Sequence, residues 1–145
     1  LDGWHGDTSR MFPVGKVGVK ATRLMEITYE SLMRGIDVVR PGATVGDIGH
    51  AIQEFVEKQR YSVVRDFCGH GLGRVFHAPP SILHYGEPGT GPELKEGMFL
   101  ADGWTAVTKD RSLSAQFEHS IAVTADGYEI FTTSPAGLHQ PPYTA

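Results

Sequence analysis

The sequence has little cysteine, no long apolar run and no excess of basic residues. Its single cysteine, Cys68, cannot form a disulfide within the chain, which fits a reducing compartment. No apolar run approaches the ~20 residues of a membrane-spanning helix, and no signal peptide is recognisable. Lysine and arginine number 13 against 17 acidic residues, so bulk charge offers no case for nucleic-acid binding.

An initiator methionine is also lacking, because residue 1 is Leu. Residues 1–7 read like the middle of a hairpin, so we expect a fragment or a processed chain. The 145 residues, 40% of them hydrophobic, are enough for one domain with an apolar core. We predict one incomplete domain over residues 1–133 and an irregular tail over residues 134–145.

Hydrophobic periodicity predicts two helices followed mostly by strands. Apolar residues recur at three- and four-residue steps over residues 17–40, and a second helix is predicted from Thr44, with Asp47 completing a capping box, to Gln59. Strands are predicted at residues 4–14, 61–65, 104–108, 114–124 and 128–132, and a rigid loop at residues 78–80. This order predicts an α+β fold with helices on one face of a curved, mostly antiparallel sheet.

Residues 68–77 combine three glycines with two histidines, His70 and His77. Glycine lets the main chain approach a ligand closely, and histidine is a common metal ligand and proton-transfer group. Alone the pattern is weak, because Gly-x-Gly loops are common and a lone histidine is more often structural. Its meaning depends on whether the chain supplies carboxylates to match.

Two carboxylates are candidates, Asp7 and Glu118. Alternation along residues 114–124 places Gln116, Glu118 and Ser120 on one face of a strand. A buried carboxylate is costly unless it is paired or bound to metal, so Glu118 would be either a metal ligand or part of a salt bridge. The alternative to a metal ligand for Asp7 is a turn or cap residue. Two carboxylates and one histidine would suit Mn, Fe, Co or Zn, although spacing alone does not show that they converge.

A more specific pattern comes from six segments in order along nearly the whole chain. They are residues 3–9, 68–74, 84–86, 94–98, 102–106 and 114–119. Together they resemble type I methionine aminopeptidase. The resemblance implies the pita-bread fold, two pseudo-symmetric α+β halves around a dinuclear metal site, and removal of the initiator methionine.

The resemblance also implies which residues bind metal. Asp7 and Glu118 correspond to the carboxylates that bridge the two ions, and His70 to the histidine ligand. Gln116 corresponds to a partner of a metal ligand. The implied cofactors are two divalent ions of Co, Mn, Fe or Zn.

Other positions correspond to substrate contacts. His77 matches a non-ligand histidine that polarises the scissile carbonyl, and Phe76 and Trp104 match walls of the methionine pocket. The implied substrates are N-terminal methionyl peptides of nascent chains near the ribosome. We expect a cytoplasmic monomer, with neither nucleic acid nor membrane as a partner.

The chain departs from the family in several places. The family's other metal-binding aspartate would fall before Leu1, and the first half of the fold, with a second substrate-binding histidine, is absent with it. After Phe99 the family has a strand bearing Glu-Pro-Met, whose glutamate is a ligand and the general base, but here Leu100 follows directly. Ala78 stands where the family usually has glutamate.

These departures leave alternatives open. With three of five metal ligands, the chain is expected to hold one ion or none and to have little activity. The main alternative is a catalytically impaired fragment or binding module. A prolidase-like peptidase is a third interpretation, disfavoured because the motifs match the aminopeptidase.

Overall fold

The computed structural model describes residues 1–101 and 112–141 of the chain. It contains two helices and five strands: α1 (Val19–Asp37), α2 (Val45–Lys58), β1 (Gly69–Gly71), β2 (Ala78–Ile82), β3 (Phe99–Ala101), β4 (Ser120–Val123) and β5 (Tyr128–Ile130). The strands form one antiparallel sheet in the order β2-β1-β3-β4-β5. The predicted α+β class is therefore confirmed.

Both predicted helices are present, and local sequence explains the start of α2. The Thr44 hydroxyl accepts from the Asp47 N–H, and the Asp47 carboxylate accepts from the Thr44 N–H at 2.7 Å, as the predicted capping box requires. Main-chain hydrogen bonds from Thr44 and Gly89 hold the pKa of the Asp47 carboxyl below its usual value. Neither helix in the described part of the chain is long and apolar enough to cross a membrane.

The apolar core lies between the helices and one face of the sheet. Leu100, Ile121 and Val123, at alternate positions of paired strands, are buried in it together with the apolar stripes of α1 and α2. Tyr29 of α1 meets Phe117 edge to face, with ring centroids 5.5 Å apart. Residues that alternate with these core positions point to the opposite face of the sheet.

Two local predictions were wrong. Residues 61–65 form no strand, because Tyr61 N–H bonds to the Val56 carbonyl at the end of α2 and Arg65 lies over the Tyr85 ring. Residues 78–80, predicted as a loop, begin β2. Proline is tolerated there because β2, in the sheet formed by the described residues, is an edge strand paired with β1.

The two segments that carry the candidate carboxylates pair only briefly. The predicted strand at residues 4–14 forms one isolated bridge, Ser9 opposite Glu118, and the predicted strand at 114–124 is regular only over β4. The predicted strand at 104–108 lies outside the described residues. Residues 134–141 form turns without a helix or strand, and the proposed division at residue 133 stays a prediction.

Candidate metal site

His70 lies on β1, an inner strand of the sheet, in one row with residues of the next two strands. It is paired with Ala101 of β3, which is paired with Ser120 of β4. The Ser120 hydroxyl continues the row, because it accepts from the Asp7 N–H at 2.8 Å and donates to the Asp7 carbonyl at 2.6 Å. The sheet thus holds the main chain of Asp7 in line with His70, Ala101 and Ser120, which are paired across three strands.

The side chains of Asp7 and His70 meet. Asp7 Oδ2 lies 3.6 Å from His70 Nε2, and the His70 side chain is 9% exposed. His70 Nδ1 is 2.9 Å from the Gly71 carbonyl, which can only accept, so Nδ1 carries the hydrogen. With Nδ1 donating to the Gly71 carbonyl, Nε2 faces the carboxylate oxygen across 3.6 Å, a contact that a proton or a cation between the two atoms would make favourable.

The separation of these two atoms fits a shared metal ion. Ligands about 2.1 Å from one ion are about 3.4 Å apart at the tetrahedral angle. The hydrogen bond from Nδ1 to a carbonyl is also the usual way in which a ligating histidine is oriented. The Asp7 and His70 pair therefore fits one ion.

Glu118 is placed beside this pair by its main chain. Its N–H donates to the Ser9 carbonyl at 2.9 Å, and its carbonyl accepts from the Thr8 hydroxyl at 3.0 Å. Its side chain is buried, and Oε1 accepts from Gln116 Nε2 at 2.8 Å. The amide of Gln116 thus contacts one of the candidate metal-binding carboxylates.

Residues 1–101 and 112–141 contain no group of three or more His, Cys, Asp or Glu side chains arranged to hold a metal ion. Asp7, His70 and Glu118 lie on neighbouring elements without forming such a group. The described residues therefore fit one ion and do not supply the ligands of a two-ion centre.

The candidate substrate residues adjoin His70. The His77 ring lies 4.4 Å from the His70 ring and 4.6 Å from the Phe76 ring, centroid to centroid. His5 meets the other side of Phe76 at 5.5 Å. Trp104, the other predicted pocket wall, lies outside the described residues. His5 is not among the site residues predicted from the sequence, although it lies in the motif of residues 3–9, two residues before Asp7.

His119, next to Glu118, faces the core. Its Nδ1 is 2.8 Å from the Thr132 hydroxyl, and its ring packs on Tyr29. Burial, helped by the charges of His139 and Arg10, lowers the pKa of His119 to about 4, so the ring is neutral near pH 7. Core packing therefore explains the position of His119.

Comparison with known proteins gives consistent matches. Residues 1–125 match the model of metallopeptidase family M24. The methionine aminopeptidase of Rickettsia prowazekii is 59% identical, over 99% of this chain and 62% of its own length. A crystal structure of methionine aminopeptidase from that organism has a TM-score of 0.86 at 57% identity, over 91% of this chain and 60% of that one. The structure of a prolidase from Pyrococcus furiosus has a TM-score of 0.77 at 25% identity. It covers 92% of this chain and 38% of its own.

The alignment also bears on the strand expected to be missing. The chain spans about three fifths of the length of the Rickettsia relative. The aligned stretch is 160 positions long, 15 more than the 145 residues of this chain, so at least 15 positions of the relative have no counterpart here. Fifteen positions would be enough for a strand and its return if they lay together.

Proposed function

Because the chain belongs to metallopeptidase family M24, we propose that it acts as a methionine aminopeptidase, which removes N-terminal methionine by metal-dependent hydrolysis. The predicted pita-bread fold is confirmed by the likeness to the solved aminopeptidase. Identity of 57% with that structure, against 25% with the prolidase, favours the aminopeptidase activity. The observation that carries the proposal is the approach of His70 Nε2 to Asp7 Oδ2 at 3.6 Å, with His70 Nδ1 held by the Gly71 carbonyl.

In this proposal Asp7 and His70 hold a divalent ion of Co, Mn, Fe or Zn, and Glu118 is the further carboxylate. The ion, when bound, would supply Lewis acidity toward water and the scissile carbonyl. His77, beside His70, would donate a hydrogen bond to that carbonyl. The exposed face of Phe76 would contact the methionine thioether.

The proposed substrates are N-terminal methionyl peptides of nascent chains, met near the ribosome in the cytoplasm. We propose that the chain is a monomer and binds neither nucleic acid nor membrane. The acidic net charge of −4 supports the lack of a nucleic-acid partner.

A second candidate is a catalytically impaired fragment or binding module. It is favoured by the absence, among the described residues, of three or more ligand side chains grouped to hold an ion, and by the 62% coverage of the relative. A chain that holds one ion without a general base would lose the ~10²–10⁴-fold that acid–base assistance contributes.

Metal titration of the metal-free chain with Co²⁺ or Mn²⁺, followed by a test for methionine release from Met-Ala-Ser, separates the candidates. We expect His70→Ala to abolish ion binding, because it removes one of two adjoining ligands. His50→Ala, on α2, is the matched control and should bind as the wild type does. Unchanged binding by His70→Ala would show that the assigned site is wrong. Binding without methionine release would favour the impaired fragment.

A further inference from the structure

We propose that the chain after β5, Thr132 together with the C-terminal segment (residues 134–141), positions the two candidate metal-binding carboxylates, with Arg10 as the positioning residue. The inference rests on the proposed function, because it takes Asp7 and Glu118 as metal ligands. It gives the C-terminal segment, which has no regular secondary structure, a part in the geometry of the site.

The two carboxylates are joined by a short contact that we call the carboxylate seam, residues 7–9 against residues 118–120. The seam has one isolated β-bridge, with hydrogen bonds from the Glu118 N–H to Ser9 and from the Thr8 hydroxyl to Glu118. Two bonds between Asp7 and Ser120 complete it. So short a ladder has few bonds to keep Asp7 in place.

One polar group of the seam is also unsatisfied. Among the described residues, Ser9 Oγ is buried without a hydrogen-bond partner. A buried hydroxyl without a partner opposes closure of the seam, because opening would return it to water. Contacts from outside the seam would therefore add to the few bonds that hold it closed.

The chain after β5 supplies such contacts on both sides of the seam. On the Asp7 side, Arg10 Nη1 donates to the Leu138 carbonyl at 2.7 Å. On the Glu118 side, the Thr132 hydroxyl accepts from the Ser120 N–H at 3.1 Å. The segment that runs from Thr132 to Leu138 thus bridges both strands of the seam.

The C-terminal segment is itself folded into a compact turn. Gly137 N–H donates to the Ser134 carbonyl at 3.0 Å, and Ser134 N–H donates to His139 Nδ1 at 3.1 Å. The His139 ring, held in this way, lies 6.2 Å from the His119 ring. It lines the same cleft as residues 8–10 and 117–119, so it lies beside the seam.

Loss of the Arg10 contact should therefore move a carboxylate. Arg10 is three residues from Asp7, whose Oδ2 lies 3.6 Å from His70 Nε2. Groups that orient metal ligands typically change metal affinity by about 10- to 100-fold when they are removed. We expect Arg10→Gln to weaken Co²⁺ binding by about 10-fold.

The experiment compares Arg10→Gln, Arg10→Lys and a chain that stops after Thr133 with the full chain. The matched control is Arg23→Gln, which alters a surface arginine of α1 that contacts Gln59. Three quantities are measured: the hydrogen exchange of the Asp7 and Glu118 amides without metal, the affinity for Co²⁺, and the midpoint of thermal unfolding.

We expect Arg10→Gln to accelerate exchange at both seam amides and to weaken Co²⁺ binding, with a thermal midpoint close to that of Arg23→Gln. Arg10→Lys, which keeps the charge and can still donate a hydrogen bond, should be intermediate. Exchange and affinity as in the wild type would overturn the inference, and so would equal effects of both glutamine variants. If the truncated chain does not fold, the Arg10→Gln variant alone tests the inference.

The proposed function and the inference fail in different ways. If the full chain binds no Co²⁺, the proposed metal site is wrong, and hydrogen exchange alone then tests the C-terminal segment. Faster exchange of the Asp7 and Glu118 amides in Arg10→Gln would still support the segment's contact with the seam. Unchanged exchange would overturn it.

Discussion

Substitution of Gly71 by alanine tests whether the position of His70 depends on the close approach of β1 to β2. A Cβ atom on Gly71 would lie 2.7 Å from the Pro79 carbonyl carbon and 2.8 Å from the Ala78 carbonyl oxygen. These are main-chain atoms, so no side-chain rotation can relieve the contact. The register of the two strands also shifts between His70 and Gly71, so the approach occurs at an irregularity of the ladder.

The expected cost follows from the distances. Carbon atoms in ordinary contact are about 3.5–4.0 Å apart, so β1 and β2 must separate by roughly 1 Å. Overpacking of this kind costs about 1–3 kcal/mol, and a lost ladder hydrogen bond adds about 1 kcal/mol. At about 2–4 °C per kcal/mol for a chain of this size, the Tm should fall by roughly 10 °C.

Gly73→Ala is the control for this prediction. The nearest atom to its added Cβ would be in the Trp4 side chain, 3.6 Å away, which is an ordinary contact. We expect this variant to stay within about 0.5 kcal/mol of the wild type. Thermal and urea unfolding of both variants measures the difference, and Co²⁺ titration shows whether His70 has moved. Equal Tm values for Gly71→Ala and Gly73→Ala would refute the reasoning.

Two further predictions concern pairs of residues away from the site. Because the folded-state pKa of Asp47 is lowered, its contribution to stability is present above the unfolded-state pKa, about 4, and is lost as the pH falls through the folded value. The stability difference between the wild type and Asp47→Asn, measured by urea unfolding, should therefore shrink in acid; a constant difference would contradict this. Tyr128→Phe removes a 2.7 Å hydrogen bond to Asp37 and should cost about 0.5–1.5 kcal/mol. No change in its urea midpoint would show that the bond contributes nothing.

Features that depend on neighbours in the chain were predictable from the sequence. The helices and the Thr44 cap follow from periodicity and from a side chain that reaches an N–H three residues away. The strand prediction at residues 61–65 failed because a two-residue period does not say whether a partner strand is available. Proline pointed to a loop at residues 78–80, although an edge strand leaves room for it.

The residue types of the site could also be named from the sequence, because ordered motifs place Asp7, His70 and Glu118 in the pattern of one family. Only the tertiary structure decided how they meet. Strand register sets Asp7 and His70 in one row, and the Gly71 carbonyl selects the tautomer of His70. The contact of Arg10 with Leu138 joins residues 128 positions apart. No local pattern encodes such contacts, because they arise only when separate segments pack together.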